Sequence, residues 1–166
     1  MRGWCLSAMG QADEGIEQLL QGLATWRNTG VNLTTPFLLM TLAEVHGISG
    51  QPEQGLHRLT EAAQLVESTQ ERWAEAEMHR LRGTLLLTMN QHAAAEDSFR
   101  HALAVSKRQS AKLLELHATL DLARLWRNQG RRAEARDLLV PICNWFSEGV
   151  DTAILRDAQA LLDSTE

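Results

Sequence analysis

Small and large apolar residues return along this chain at an interval of forty residues. Gly3, Ala43, Gly83 and Ala123 form one series, and Gly15, Gly55, Ala95 and Ala135 a second. Four positions beyond the second series stand Leu19, Leu59, Phe99 and Leu139, and three further on Gly22, Ala62, Ala102 and Ile142. Between the first two series lie Gly10, Gly50, Asn90 and Gly130, residue types that tolerate the left-handed conformation ending a helix. The spacing has a mechanical reading. Two antiparallel helices joined by a tight turn come close only where both carry small side chains. A large side chain one helical turn on then fills the gap to the next pair. Each pair alone leaves an apolar face uncovered, so the pairs must stack.

Boundary residues refine the elements. Thr35 followed by Pro36 reads as an N-cap and a first helical position, Ser68 with Glu71 has the spacing of a capping box, and Ser110 and Asp151 can cap the helices after them. The expected helices cover 2–8, 12–28, 36–48, 52–67, 70–88, 92–108, 111–129, 132–147 and 152–163. Pro141 inside the eighth removes a hydrogen bond to Asp137 and should bend it. The last helix departs from the repeat pattern, which suits a cap on the stack. The expected fold is all-α: four helical hairpins at about 1–33, 34–69, 70–109 and 110–148, closed by a capping helix at 151–164.

These positions resemble the tetratricopeptide repeat, with Gly83, Ala95, Phe99 and Ala102 matching its signature and Trp126 standing where tyrosine is usual. The resemblance implies a right-handed superhelical stack, and the forty-residue period implies helices longer than usual for that family. Residues 77–162, in "EMHRLRGTLLL", "AEDSFRHALAVSKRQSAKLLELHATLDLARLWRNQGRRAEARDLL" and "PICNWFSEGVDTAILRDAQALL", are similar to the C-terminal segment of bacterial regulators that join cyclase-like, ATPase and repeat domains. This chain has no G-x-x-x-x-G-K-[ST] phosphate loop and no length for a cyclase domain, so the catalytic functions of such proteins do not carry over. The resemblance implies a regulatory or scaffolding segment of a cytoplasmic signalling or transcription-related protein.

In tetratricopeptide proteins, ligands lie along the first helix of each pair. By register that surface carries Phe37, Met40 and Glu44 from the second unit, Glu77, Arg80 and Thr84 from the third, and His117, Leu120, Arg124 and Arg127 from the fourth. A groove of this mixture suits a protein or peptide partner, with apolar anchors at one end and charges at the other. Relatives that clamp a C-terminal carboxylate use lysine and asparagine at groove positions. Met40, Glu44, Leu120 and Arg124 stand there instead, which argues against a chaperone-tail receptor. The alternative function is a small-ligand sensor that regulates an effector domain outside this chain.

Charge and chemistry narrow the classes. A net charge of −5 over 166 residues disfavours electrostatic binding to nucleic acid or anionic lipid. No apolar run reaches the ~18 residues that span a bilayer, and residues 1–20 lack the pattern of a secretion signal. Arg124, Arg127, Arg131, Arg132 and Arg136 crowd the fourth turn, where Asp121, Glu134 and Asp137 at helical spacings suggest a balanced, solvated face. Glu77 and Arg80, one turn apart, suit a surface ion pair. The six histidines show no metal-ligand spacing, and His46 reads as a packed residue. Cys5 and Cys143 have no recognisable catalytic partner, and no G-x-S-x-G motif occurs. The expectation is a non-catalytic protein without metal or cofactor.

One expectation concerns the N-terminal end. Only residues 2–8 precede the first turn, so the helix at 12–28 should lose part of its cover and expose Ile16, Leu19, Leu20, Leu23 and Trp26. Such a patch would favour a homodimer through residues 1–40.

Overall fold

Each tight turn between paired helices is built around one residue in the left-handed region. In the computed structural model, which describes residues 2–28, 30, 34–146 and 152–164, Gly10, Gly50, Asn90 and Gly130 have φ of 85°, 72°, 59° and 80°. The N–H that follows each of them reaches back to close the helix end. Gln11 donates to Leu6 O, Gln51 to His46 O, Gln91 to Leu86 O and Arg131 to Trp126 O, all at 2.8 or 2.9 Å. This bond satisfies a carbonyl that the finished helix would leave orphaned.

Nine helices occur among the described residues: α1 (Arg2–Ala8), α2 (Ala12–Asn28), α3 (Thr35–Ile48), α4 (Pro52–Thr69), α5 (Glu75–Thr88), α6 (His92–Arg108), α7 (Lys112–Asn128), α8 (Arg132–Trp145) and α9 (Ala153–Asp163). Helix makes up 84% of the described residues and no strand occurs among them, so the all-helical expectation holds. Pro52 opens α4 and Pro36 lies in the first turn of α3, where a missing N–H costs nothing. Pro141 sits within α8.

The caps differ from expectation. Thr34 is the N-cap of α3 and makes no capping bond, and Thr35 is already helical and buried. Ser68 lies in the last turn of α4, its hydroxyl donating to Leu65 O, so no capping box starts there. Gln70 then takes the left-handed conformation with φ 59°, and residues 70–74 run as a turn where a helix was expected. Ser110 does not cap α7. It is itself a left-handed turn residue, φ 55°, and Ala111 N–H returns to Ser106 O at 2.9 Å. Asp151 lies outside the described residues. With Gly30, also at positive φ, left-handed joints fall at 10, 30, 50, 70, 90, 110 and 130, twice as often as the sequence pattern announced.

The small residues do what their spacing requires. A β-carbon on Gly15 would stand 2.5 Å from the Gly3 carbonyl oxygen, so α1 and α2 meet backbone to backbone. Ala43, Ala95, Ala123 and Ala135 are fully buried, as are the large partners Phe99 and Leu139. Gly22 is the exception: it is exposed, with open space around it. The core runs along the stack as three clusters, one with Leu19, Leu42 and Val45, a second with Leu39, Leu59 and Leu81, and the largest with Phe99, Leu116, Leu122 and Leu139. At its end α9 adds Ala158, Leu161 and Leu162 and packs on α8 and α7.

Successive odd-numbered helices also touch one another (α1 with α3, α3 with α5, α5 with α7, α7 with α9), while successive even-numbered helices keep their backbones apart. The odd helices therefore form the inner row of the stack and the even helices the outer row. This division positions the candidate site.

Candidate functional site

The inner row is tied by polar rungs at three of its four junctions. The Trp4 indole N–H donates to Glu44 Oε2 at 3.0 Å, joining α1 to α3. Arg80 Nη1 donates to Asp121 Oδ2 at 2.7 Å, joining α5 to α7, and Arg124 Nη2 donates to Asp157 Oδ2 at 3.0 Å, joining α7 to α9. Among the described residues no hydrogen bond or ion pair joins α3 to α5. At that junction the row opens into a trough.

Two solvent-accessible hollows lie end to end in the trough. The first, about 260 Å³, is lined by Trp4, Phe37, Met40, Thr41, Glu44, Glu77 and Leu81. The second, about 290 Å³, is lined by Glu44, Gly47, Ile48, Arg80, Leu81, Thr84, Leu85 and Thr88. Glu44 and Leu81 belong to both, so the hollows form one continuous surface. Helical spacing explains the set: Phe37, Met40, Thr41 and Glu44 fall on one face of α3, and Glu77, Arg80, Leu81, Thr84 and Thr88 on the facing side of α5. Trp4 is 40% exposed and Phe37 41%, and the Phe37 ring stacks on Trp73, itself 54% exposed, at a centroid distance of 6.3 Å.

Six of the ten residues expected on the groove meet in this trough: Phe37, Met40, Glu44, Glu77, Arg80 and Thr84. Met40 is nearly buried and contributes to the floor. The other four stand apart. Leu120 is a correction, because at 1% exposure it belongs to the core and offers nothing to a ligand. Arg124 is engaged with Asp121 and Asp157, and Arg127 Nη1 donates to Ser164 Oγ at 3.3 Å, so both hold the C-terminal helix region against α7. His117 stands beside the ion-pair row. Burial lowers its pKa, and the nearby Arg80 charge pushes the same way against Glu77 and Asp121.

Arg80 is more than half of a simple surface pair. Its Nε and Nη2 donate to both oxygens of Glu77, at 2.8 and 2.7 Å, while Nη1 reaches Asp121. The two carboxylates outweigh the cost of burial and raise its pKa above the ordinary arginine value. Glu77 thus spends both oxygens on Arg80. Glu44 accepts from Trp4 and has no cationic partner among the described residues.

A second cluster went unseen in the sequence. Arg131 donates to both oxygens of Glu96 and to Glu134, and its guanidinium lies 4.4 Å from the centre of the Trp126 ring. Arg100 covers the same ring at 5.3 Å and donates to Glu96 at 2.7 Å. Burial tends to raise the Glu96 pKa, but the bonds from Arg100 and Arg131 and the Arg131 charge overcome it, and the net shift is downward. This cluster ties the outer helix α6 to the start of α8. The expected balanced arginine face holds for Arg124 with Asp121 and for Arg131 with Glu134.

The N-terminal patch is also corrected. Leu23 is only 4% exposed and packs with Leu39 and Leu59, Leu19 is buried beside Leu42 and Val45, and Ile16 is half-buried against them. α1 and α3 together supply the missing cover. Leu20 is exposed, and Trp26 is half-buried.

Among the described residues no three His, Cys, Asp or Glu side chains gather as metal ligands would. The Cys143 thiol pKa is raised by burial, the opposite of an activated nucleophile. No helix of the described chain is long and apolar enough to cross a membrane.

Comparison with known proteins agrees with this fold. Residues 116–140, most of α7 with the turn after it and the larger part of α8, match the tetratricopeptide repeat family. No curated protein resembles the chain significantly in sequence. Two crystal structures of nearly identical TPR-like repeats, named for a Podosopora anserina kinesin light chain, are similar in three dimensions. One, a single-substitution variant, superposes with a TM-score of 0.75 at 18% identity, covering 98% of this chain and 81% of that one. The other gives 0.73 at 18% identity with the same coverage. Repeats of this fold generally serve as scaffolds for protein–protein interaction. The chain therefore has the fold of TPR-like helical repeats, and its α7–α8 hairpin contains a stretch that itself matches the tetratricopeptide repeat.

Proposed function

We propose that the chain is a non-catalytic protein-binding module whose docking surface is the trough between α3 and α5. The observation that carries this reading is the pair of contiguous, mostly apolar hollows on the inner row, with Trp4 and Phe37 exposed at the mouth. Exposed aromatic anchors beside small pockets are where binding energy concentrates at peptide interfaces. The open shape of the trough also bears on the rival small-ligand sensor. Both hollows are open to solvent along the trough, which suits the side chains of a peptide better than a sequestered metabolite. The proposed setting, a regulatory segment of a bacterial signalling protein, rests on the resemblance of residues 77–162.

Photo-crosslinking tests the reading. A benzophenone-bearing residue at Thr84 should capture a protein partner in cells of the source organism, and the same residue at Arg108 on the outer row should not. Phe37→Ala should abolish capture from Thr84 without altering the far-ultraviolet spectrum. Capture from Arg108 alone would move the docking surface off the inner row.

A further inference from the structure

The geometry points to a partner segment that inserts a lysine or arginine side chain at Glu44, beside an apolar side chain in the adjoining hollow. The inference rests on the trough being the docking surface and names the chemistry of what docks there.

Glu44 is distinguished by what it lacks. A carboxylate offers about four acceptor positions, and Glu44 uses one, on the Trp4 indole at 3.0 Å. Its neighbour Glu77 has both oxygens bound to Arg80, and Asp121 is divided between Arg80 and Arg124. Glu44 is therefore the half-buried acid of the inner row whose charge no described side chain balances. It is half-buried and lines both hollows, so a cation reaching it must come through the trough.

The surroundings fit a long basic side chain. Such a side chain lays its methylene stem on apolar surface and keeps its charged head at a polar rim. Met40 and Leu81 supply the surface, and Glu44 the rim. Trp4 and Phe37 line the same hollow, and aromatic faces attract an ammonium or guanidinium group further. An acidic side chain at this place would meet Glu44 and Glu77 without compensation, because Arg80 is already held by two carboxylates. Gly47, Ile48 and Leu85 in the second hollow leave room for an aliphatic or aromatic neighbour.

Random peptides displayed on phage are panned against the whole chain, and selected peptides are synthesised and titrated by fluorescence anisotropy. The expected peptides carry lysine or arginine close to an apolar residue. Glu44→Gln, nearly isosteric and checked for folding by circular dichroism, should weaken them about five- to tenfold. Replacing the peptide's basic residue by leucine should weaken binding to the unaltered chain equally, and should have no further effect on Glu44→Gln. Peptides that lose binding on Phe37→Ala yet bind Glu44→Gln unchanged would overturn the assigned cation and leave the trough reading standing. So would selected peptides rich in acidic residues. Peptides indifferent to Phe37→Ala, Ile48→Arg and Glu44→Gln alike would overturn the trough itself, and the inference with it.

Discussion

Phe99 rests directly on Gly83: a β-carbon at position 83 would stand 2.5 Å from the ring's Cε1 and 2.6 Å from Cδ1. The ring is completely buried, so it cannot swing away into solvent. Gly83→Ala gains about 1 kcal/mol of helix propensity but forces a shift in a packed core, which typically costs ~1–3 kcal/mol. The expected net result is destabilisation. Gly22 occupies an exposed helical position with nothing near its missing β-carbon, so Gly22→Ala should stabilise by roughly 0.5–1 kcal/mol. Urea midpoints that move in the same direction for both variants would contradict this packing.

Arg80 bridges α5 and α7 through two carboxylates. Arg80→Met keeps the stem and removes the charge, leaving Glu77 and Asp121 partly buried beside each other's helices. With 17% side-chain exposure the site lies between a surface pair and a buried one, so the expected loss is about 1–3 kcal/mol. Thermal denaturation of Arg80→Met, Asp121→Asn and the double variant gives the coupling. Strict additivity would show that the bridge carries no energy.

The Glu96 cluster makes stability depend on acid. Its folded pKa lies below the ordinary 4.5, so the native state favours the ionised form. Its contribution is fully present above pH 4.5 and is lost as pH falls through the lowered native value. Glu96→Gln should therefore destabilise the chain at pH 7 and have a progressively smaller effect below about pH 4.5. A gap between the two proteins that stays constant from pH 7 to pH 3 would rule this out. His46, His79 and His117, each held below 6.5 mainly by burial, add a loss of the same sign as pH falls below that value.

Leu23 and Leu20 separate the buried from the exposed side of α2. Leu23→Ala should cost about 2–4 kcal/mol through the cavity it leaves, while Leu20→Ala should stay within roughly 0.5 kcal/mol. Chemical denaturation of both measures the difference. Equal costs would place the face of α2 wrongly.

The repeat was legible because it is written in residues with steric meaning. Glycine and asparagine mark five of the seven left-handed joints, and glycine or alanine marks each close approach. The joints at Gln70 and Ser110 were not legible, since neither residue type announces positive φ and the neighbouring helices impose it. Misreading Gln70 also hid Trp73, which belongs to the turn at 70–74 and stacks on Phe37. In the trough, register placed the faces of α3 and α5 correctly. It failed at Leu120, where burial on every side leaves an inner-row position with no groove surface. The Glu96–Arg131 contact crosses from one outer helix to the start of the next, a distance that helical spacings within one element do not encode.

The even spacing of the left-handed joints bears on how such a chain tolerates insertion and deletion. Between joints the peptide runs one length of the stack, alternately up the inner row and down the outer. Losing or copying one such length, twenty residues, would exchange the two rows downstream and set side chains shaped for the core against water. Two lengths restore the phase. A one-residue slip inside α3 would rotate the rest of that helix by about 100° and turn Glu44 away from the hollows, whereas an extra residue beside Trp73 would fall in a turn. The trough can thus change its contents by substitution, but its length can change only in steps of a whole hairpin.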